Sequence, residues 1–453
     1  MKKLFIFLFG VSALILFAQD GAVDLNFNND SGPNGSIIRA IALQADNKIV
    51  VAGDFTSYNN IARNGIARLN SDGSVDQTFN PGAGVVGSIH NVTIQQDEKI
   101  IIAGEFTKIG NVEKNHIARL NKDGSLDTSF NPNGSGPSAP VWSIAQQPDG
   151  KIMIAGTFVS YNGISRGRVA RLNTDGTLDQ SFDSEIGSDS ILGSVVLQPD
   201  GKVLIGGYII NYNSIIRRTV ARLNSNGTLD AGFNQLGTGA NLPLSNMTLQ
   251  PNGKVIISGF FTSYNTMNTG GVVRLNTDGS LDTTFEKNSS AGAYSSIVLP
   301  NGKILAAGSY YSNSMLFRLN SDGTLDKNFI SNGMIQRMLI QPDGKILVCG
   351  NFTALNGVNK KQIARINGED LLSVLQYEKD IIKIFPNPVE NILKLKSNQP
   401  ISDYELYSLD GKKISLGSTV NDSSINVSNL AKGSYLIKVK INGKEQTTKF
   451  IKE

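Results

Sequence analysis

Side chains that ordinarily carry chemistry are scarce in this chain of 453 residues, which holds two His, one Cys and one Trp. His90 and His116 stand apart, without the spacing that would bring two imidazoles to one metal ion. Cys349 has no partner for an internal disulfide, and a reactive thiol would need a partly exposed, electropositive setting. Corresponding places along the sequence hold Ala52, Ala103, Ala155, Gly206, Ser258 and Ala307, all small, so Cys349 reads as a small core residue. Segments of the form Asn-x-Asp-Gly-x-x-Asp resemble a calcium loop but lack its dense acidic ligands and closing Glu. No Ser-His-Asp or Cys-His set can be assembled, and no Gly-rich loop leads from a strand into a helix to cradle phosphate. No catalytic residue, metal or cofactor is expected.

One position varies as a binding site would. Nine residues before a recurring Lys stand Arg39, His90, Trp142, Gly193, Ser245, Tyr294 and Gln336. If the first strand of each repeat lines a channel, these residues ring one mouth. A mixed aromatic and polar ring suits a glycan or a peptide, which makes Arg39, His90, Trp142, Tyr294 and Gln336 the candidate ligand-binding residues. The plainer alternative is a loop position that tolerates anything. A second set, Arg63, Lys114, Arg166, Arg217 and Lys360, reads as solvated loop charge.

Behind these positions lies a repeat. The Arg of Arg68-Leu69-Asn70-Ser71-Asp72-Gly73-Ser74-Val75-Asp76 recurs at Arg119, Arg171, Arg222, Arg274, Arg318 and Arg365, with spacings of 51, 52, 51, 52, 44 and 47 residues. A period near fifty marks a repeat architecture, in which most shared residues build the unit. In the second unit, 89–95, the apolar run 99–106, 117–121 and 125–130 read as four antiparallel strands, the size of a propeller blade. A polar loop, 107–115, separates the second from the third. Asn-x-Asp-Gly fits a type I turn with a G1 bulge. That register sets Arg68 opposite Asp76, and likewise Arg119–Asp127, Arg171–Asp179, Arg222–Asp230, Arg274–Asp282 and Arg318–Asp326, as bidentate pairs across a hairpin. A Gly recurs in the second strand, at Gly53, Gly104, Gly156, Gly207, Gly259, Gly308 and Gly350, marking a bulge or a close backbone approach.

The seventh unit stops at Arg365-Ile366-Asn367 without its outer strand. The missing piece lies near the start, where residues 20–27 match 72–79. An open array would leave both ends as unpaired edges, so a closed all-β, seven-bladed propeller over 19–367 is expected, shut by an N-terminal strand with Asp24 against Arg365. Residues 1–18 read as a signal peptide, with Lys2 and Lys3 before an apolar run ending near Ala18. No other stretch is long and apolar enough to span a bilayer. Residues 19–382 carry 29 basic and 31 acidic groups, a balance that gives no electrostatic case for nucleic acid.

These residues resemble the delta-60 repeat family, through Gln147-Pro148-Asp149-Gly150-Lys151-Ile152, Gln341-Pro342-Asp343-Gly344-Lys345-Ile346 and the Ala-Arg-Leu-Asn-x-Asp-Gly segments over 20–367. The resemblance implies a β-propeller of secreted or surface proteins and supplies no active site. After a linker at 368–381 with a short helical turn at 371–376, residues 382–453 alternate apolar and polar positions between turn signals, as a small β-sandwich would. Pro386-Asn387-Pro388, Gly433, Tyr435 and Lys449 fall in motifs that resemble the C-terminal sorting domain of the type IX secretion system of Bacteroidetes. That resemblance implies the type IX machinery as a partner and passage through the periplasm to the medium or outer surface. The expected function is a monomeric, non-enzymatic binding or adhesion scaffold for glycan or protein; the alternative is a secreted hydrolase or lyase working at the channel mouth.

Overall fold

The computed structural model describes residues 20–28, 32–35, 37–184, 187–235, 237–286, 291–310, 313–368, 383–396, 401–408, 413–418, 424–441 and 444–453. The expected signal peptide, and all of the expected linker beyond residue 368, lie outside them. The chain divides into two units, residues 1–369 and 370–453.

Apolar runs such as Ile100–Gly104 and Ile152–Gly156 are buried along their whole length. Continuous apolar sequence of this length belongs to a strand covered on both faces. Each run is the middle strand of an antiparallel sheet; in the third unit the order is Val141–Gln146, Ile152–Gly156, Val169–Leu172. Seven such sheets lie among the described residues, and the first strand of each touches the first strand of the next. The cycle includes Ile37–Leu43 against Met334–Ile340, so the first strands form the inner wall of a ring. Clusters such as Ile101, Phe130, Ile144 and Ile154 fill the space between adjacent blades. The fold is an all-β, seven-bladed propeller, with no helix among the described residues.

Two details of the blade differ from the sequence expectation. The outer strand is mostly a single bridge, as at Leu69–Val75 and Leu120–Leu126. The reason is local: Asp76 Oδ1 accepts bonds from Thr78 N and Oγ1, and Phe79 N donates to Asp76 O, so the chain turns away at once. Blade six alone, among the described residues, extends this segment into a fourth strand, Leu325–Asn332. The polar loop between strands two and three is itself a hairpin, such as Ser160–Tyr161 with Ile164–Ser165. Asn162 (φ 49°) and Gly163 (φ 79°) make its type I′ turn.

The recurrent Arg joins one blade to the next. Asp76 Oδ2 accepts from Arg68 Nε at 2.7 Å and from Lys48 Nζ at 2.9 Å. The Arg68 guanidinium sits 5.0 Å above the Phe79 ring and sends Nη1 to Lys122 O in the turn of blade two. Asn80 N donates to Asp123 O in that same turn. The expected bidentate Arg–Asp pair is therefore a single-oxygen contact, because Oδ1 is committed to the turn and Nη1 to the neighbouring blade. Among the described residues only Arg318, of the recurrent arginines, sets both Nε and Nη2 on its Asp. Burial alone would raise the Asp76 carboxyl, but bonds from Thr78, Lys48 and Arg68 outweigh it and hold the group well below the usual carboxylate range. Asp127, Asp179 and Asp282 behave alike.

Both ends of the propeller region contribute to blade seven. Gly21 N donates to Asn367 O and Asn367 N to Ala22 O, each at 2.8 Å, reproducing the bonds that Gly73, Asn70 and Ser74 make within one continuous turn. Asp24 Oδ2 lies 2.9 Å from Arg365 Nε and 2.7 Å from Lys345 Nζ. Arg365 covers Phe27 at 4.7 Å and reaches Ser71 O in blade one.

The C-terminal unit has a three-stranded sheet, Lys383–Phe385, Ile392–Lys396 and Ser424–Asn426. A four-stranded sheet holds Lys413–Ser418, Ile401–Ser408, Gly433–Ile441 and Lys444–Lys452. Leu393, Leu395, Ile425, Leu406, Ile437 and Phe450 make the core between them.

Replacing one partner of a buried ion pair strands the other, so Asp127→Asn is expected to cost about 3 kcal/mol in urea unfolding of the full chain. Asp24→Asn should cost a similar amount; no loss there would mean that residues 20–28 contribute nothing to the ring. The latch carboxyls are more acidic folded than unfolded, so their stabilisation is complete above the unfolded carboxyl value of about 4 and is lost as pH falls toward the folded values. Tm should be level near neutrality and drop steeply below about pH 4; a flat profile down to pH 3 would contradict it.

Candidate functional site at the channel mouth

The variable position of the first strand has a structural identity. Pairing with the second strand slips by one residue between Ile38 and Ala40, Ile89 and Asn91, Val141 and Ser143, and Leu192 and Ser194. It slips again between Leu244 and Asn246, Ala293 and Ser295, and Ile335 and Arg337. The residues skipped are Arg39, His90, Trp142, Gly193, Ser245, Tyr294 and Gln336. Each is the extra residue of a β-bulge, which leaves the ladder and bends the strand, re-aiming its side chain. The recurrent Gly stands against this bulge. A Cβ on Gly156 would lie 2.2 Å from Pro140 O, and one on Gly104 2.1 Å from Ser88 O, so only hydrogen fits there.

Beside the bulge lies a second variable position that sequence reasoning passed over, the residue after that Gly: Asp54, Glu105, Thr157, Tyr208, Phe260, Ser309 and Asn351. Its signal was available, since it varies between a constant Gly and a position that holds Phe in five blades, Ile209 in blade four and Tyr310 in blade six. Arg39 sets Nη2 and Nε on Asp54 Oδ2 at 2.6 and 2.9 Å. His90 Nε2 is 3.7 Å from Glu105 Oε1, and its ring lies 4.2 Å from the Trp142 ring. Burial, then the positive charge of Arg39, push His90 well below the ordinary imidazole value, so it is neutral at physiological pH. His90 Nε2 and Trp142 Nε1 are shielded from solvent and make no hydrogen bond.

The opposite arc is apolar. Tyr294 meets Phe260 at 4.7 Å between ring centres, and Tyr208, Ile191, Ile210 and Leu242 are exposed near the same end of blades four and five. Of the five residues expected to ring the mouth, Arg39, His90 and Trp142 form one cluster. Tyr294 joins another, and Gln336 occupies the bulge of blade seven, where its carbonyl accepts Arg337 Nη1.

Other expected sites are structural. Cys349 is buried opposite Arg337, and burial pushes its thiol up to about 12. His116 Nδ1 meets Gly104 O. The expectation of solvated loop charges is corrected at three of the five positions: Lys114 Nζ bonds Phe130 O and Asn131 O, Lys360 bonds Phe27 O and Asn28 O, and Arg166 is buried, while Arg63 and Arg217 make exposed bonds to the carbonyls of Ala62 and Ile216. The two lysines cap carbonyls where the outer segment ends its turn, and Arg166 Nη1 bonds the carbonyl of Ser165. In the C-terminal unit Asn387, between Pro386 and Pro388, accepts Ile451 N at 2.9 Å. Tyr435 stacks on Phe450 and donates to Ala431 O; Gly433 begins that strand and Lys449 lies in the final one.

No curated protein matches the sequence. Among solved structures it is similar to the extracellular domain of BT4673 from B. thetaiotaomicron, at 12% identity and a TM-score of 0.45 over 96% of this chain. It spans only 58% of that chain. It is also similar to streptogramin B lyase (14% identity, TM-score 0.46, 74% of this chain and 95% of that one). A third is YCF48 bound to D1 peptide (14% identity, TM-score 0.42, 74% and 95%). Among the described residues no helix is long and apolar enough to cross a membrane. Residues 383–453 match the secretion system C-terminal sorting domain, the type IX tail that directs export to the outer cell surface or the medium. Residues 44–79, 95–130, 147–182, 198–233, 250–285, 299–329 and 341–370 match the model of the DUF5122 β-propeller, described as a domain of unknown function, and the chain belongs to that family.

Proposed function

We propose that this exported propeller is a monomeric binding protein that takes a glycan at its channel mouth and performs no reaction on it. The observation that carries this reading is the contrast between constant and variable positions. Every residue that latches blades together recurs, while the bulged residue differs in each blade. Repetition of Arg, Asp and Phe serves the ring; a set of seven unlike residues on one rim has no use there. Trp142 beside His90, and Phe260 beside Tyr294, offer aromatic faces for the CH edges of sugar rings, with Arg39, Asp54, Glu105, Asn351 and Gln336 available for hydroxyl groups.

A second reading has one observation in its favour. A neutral His90 next to Glu105 is the pairing a secreted hydrolase or lyase would use as a general base.

A glycan and peptide array probed with the full chain separates the two. Trp142 is the chain's single Trp, so its fluorescence reports the mouth directly. The expected result is saturable quenching by a glycan with the glycan recovered intact. Trp142→Ala, assayed by calorimetry, should weaken binding roughly tenfold, about 1.4 kcal/mol. Conversion of any array member to product would establish the enzymatic reading instead.

A further inference from the structure

One charge in the channel wall has no counter-charge. Arg337 directly follows the bulge of blade seven, and the same place in the other blades holds Ala40, Asn91, Ser143, Ser194, Asn246 and Ser295. Among the described residues Arg337 makes no ion pair; its one hydrogen bond runs from Nη1 to the carbonyl of neighbouring Gln336, at 3.0 Å. Its partner across the ladder is Cys349, whose buried thiol stays neutral. Arg337 is half-buried on the channel side of its strand, and its surroundings together with the nearby charge of Arg39 disfavour its charged form.

Two other blades show what an acceptor does at this place. Ser143 Oγ accepts Val195 N, and Asn246 Oδ1 accepts Ser296 N, each an amide two residues past the next blade's bulged residue. The equivalent amide in blade one belongs to Ile41. Where blades three and five present an oxygen to that amide, blade seven presents Arg337, which has donors and no acceptor. By that register the Ile41 amide faces the strand of Arg337, which offers it no side-chain acceptor. Arg39 is already held by Asp54, and Asp54 and Glu105 disfavour a multiply charged anion in this sector.

We infer that the inner rim between blades seven and one is a carboxylate site, built by Arg337 and the Ile41 amide, and that the glycan taken at the mouth carries a uronate whose carboxylate seats there. The second half of this inference rests on the glycan reading given above. A sugar ring bearing one carboxylate matches both features of the mouth: aromatic faces on the rim and a single unmatched positive charge beneath them.

The test uses the full chain with an oligogalacturonide, the same oligosaccharide fully methyl-esterified, and sodium acetate against sodium chloride at equal ionic strength. The acidic oligosaccharide should bind at least tenfold more tightly than its ester in calorimetry, and Arg337→Gln should abolish that difference. Acetate should raise the wild-type Tm relative to chloride and leave Arg337→Gln unmoved. Because this variant removes an unpaired charge, its own Tm in chloride should equal or exceed the wild type's, which separates loss of binding from loss of fold. Equal binding of ester and acid, or an acid preference that survives Arg337→Gln, overturns the uronate assignment. An acetate effect through Arg337 with neither oligosaccharide bound upholds the carboxylate site and removes the glycan reading. An acetate effect absent from wild type, or unchanged in Arg337→Gln, overturns the site itself.

Discussion

The propeller depends on an arginine that belongs to two blades at once. Within its own blade Arg68 holds Asp76 and covers Phe79, and across the gap it bonds the turn of the next blade at Lys122 O. The guanidinium suits this task because its five donors are fixed in one plane, so a single side chain can serve a carboxylate, a ring face and a carbonyl. All seven recurrent arginines cover their Phe at between 4.5 and 5.1 Å. Stability of a repeat array is close to a sum of unit and neighbour contributions, so the interface is reinforced at every junction. That includes the junction where Arg365 meets Asp24 and Ser71, with its partners drawn from far-separated parts of the chain.

Much of this was legible because repetition averages away local ambiguity. The Arg–Asp register followed from the turn type at Asn70-Ser71-Asp72-Gly73, and the match of 20–27 to 72–79 pointed to the shared seventh blade. What was not legible were contacts between units. The sequence gives no hint that Arg68 Nη1 leaves its hairpin, so a bidentate pair looked natural. The same blindness made Lys114 and Arg166 look solvated, when Lys114 caps carbonyls of the outer segment and Arg166 is buried. The small hairpin between strands two and three did announce itself, in Tyr161-Asn162-Gly163-Ile164, where Asn-Gly between apolar residues calls for a type I′ turn; its shortness made it read as a loop.

The mouth was half legible. Variation at His90, Trp142 and Tyr294 was visible in the sequence, but the bulge that sets these residues off from the ladder was not, since a bulge is a mismatch between two strands and only pairing reveals it. The recurrent Gly is its trace: Gly104 and Gly156 have no room for a Cβ because the bulged strand's carbonyl occupies that space. Asp54 and Glu105 were missed because each blends with an ordinary polar strand end. The ring is thus a symmetric frame, and the bulges release one side chain per blade from its symmetry. Selection on the frame and on the rim can then act separately.

The central claim is that junction seven–one is held as the internal junctions are, and amide hydrogen exchange of the full chain tests it most directly. Asp24 N bonds Arg365 O and Asn28 N bonds Asp72 O, as Asp127 N bonds Arg119 O and Asn131 N bonds Asp175 O within the ring. The account predicts that Asp24 and Asn28 exchange as slowly as Asp127 and Asn131, through one cooperative opening. Fast exchange at Asp24 and Asn28, with Asp127 and Asn131 still protected, would contradict it.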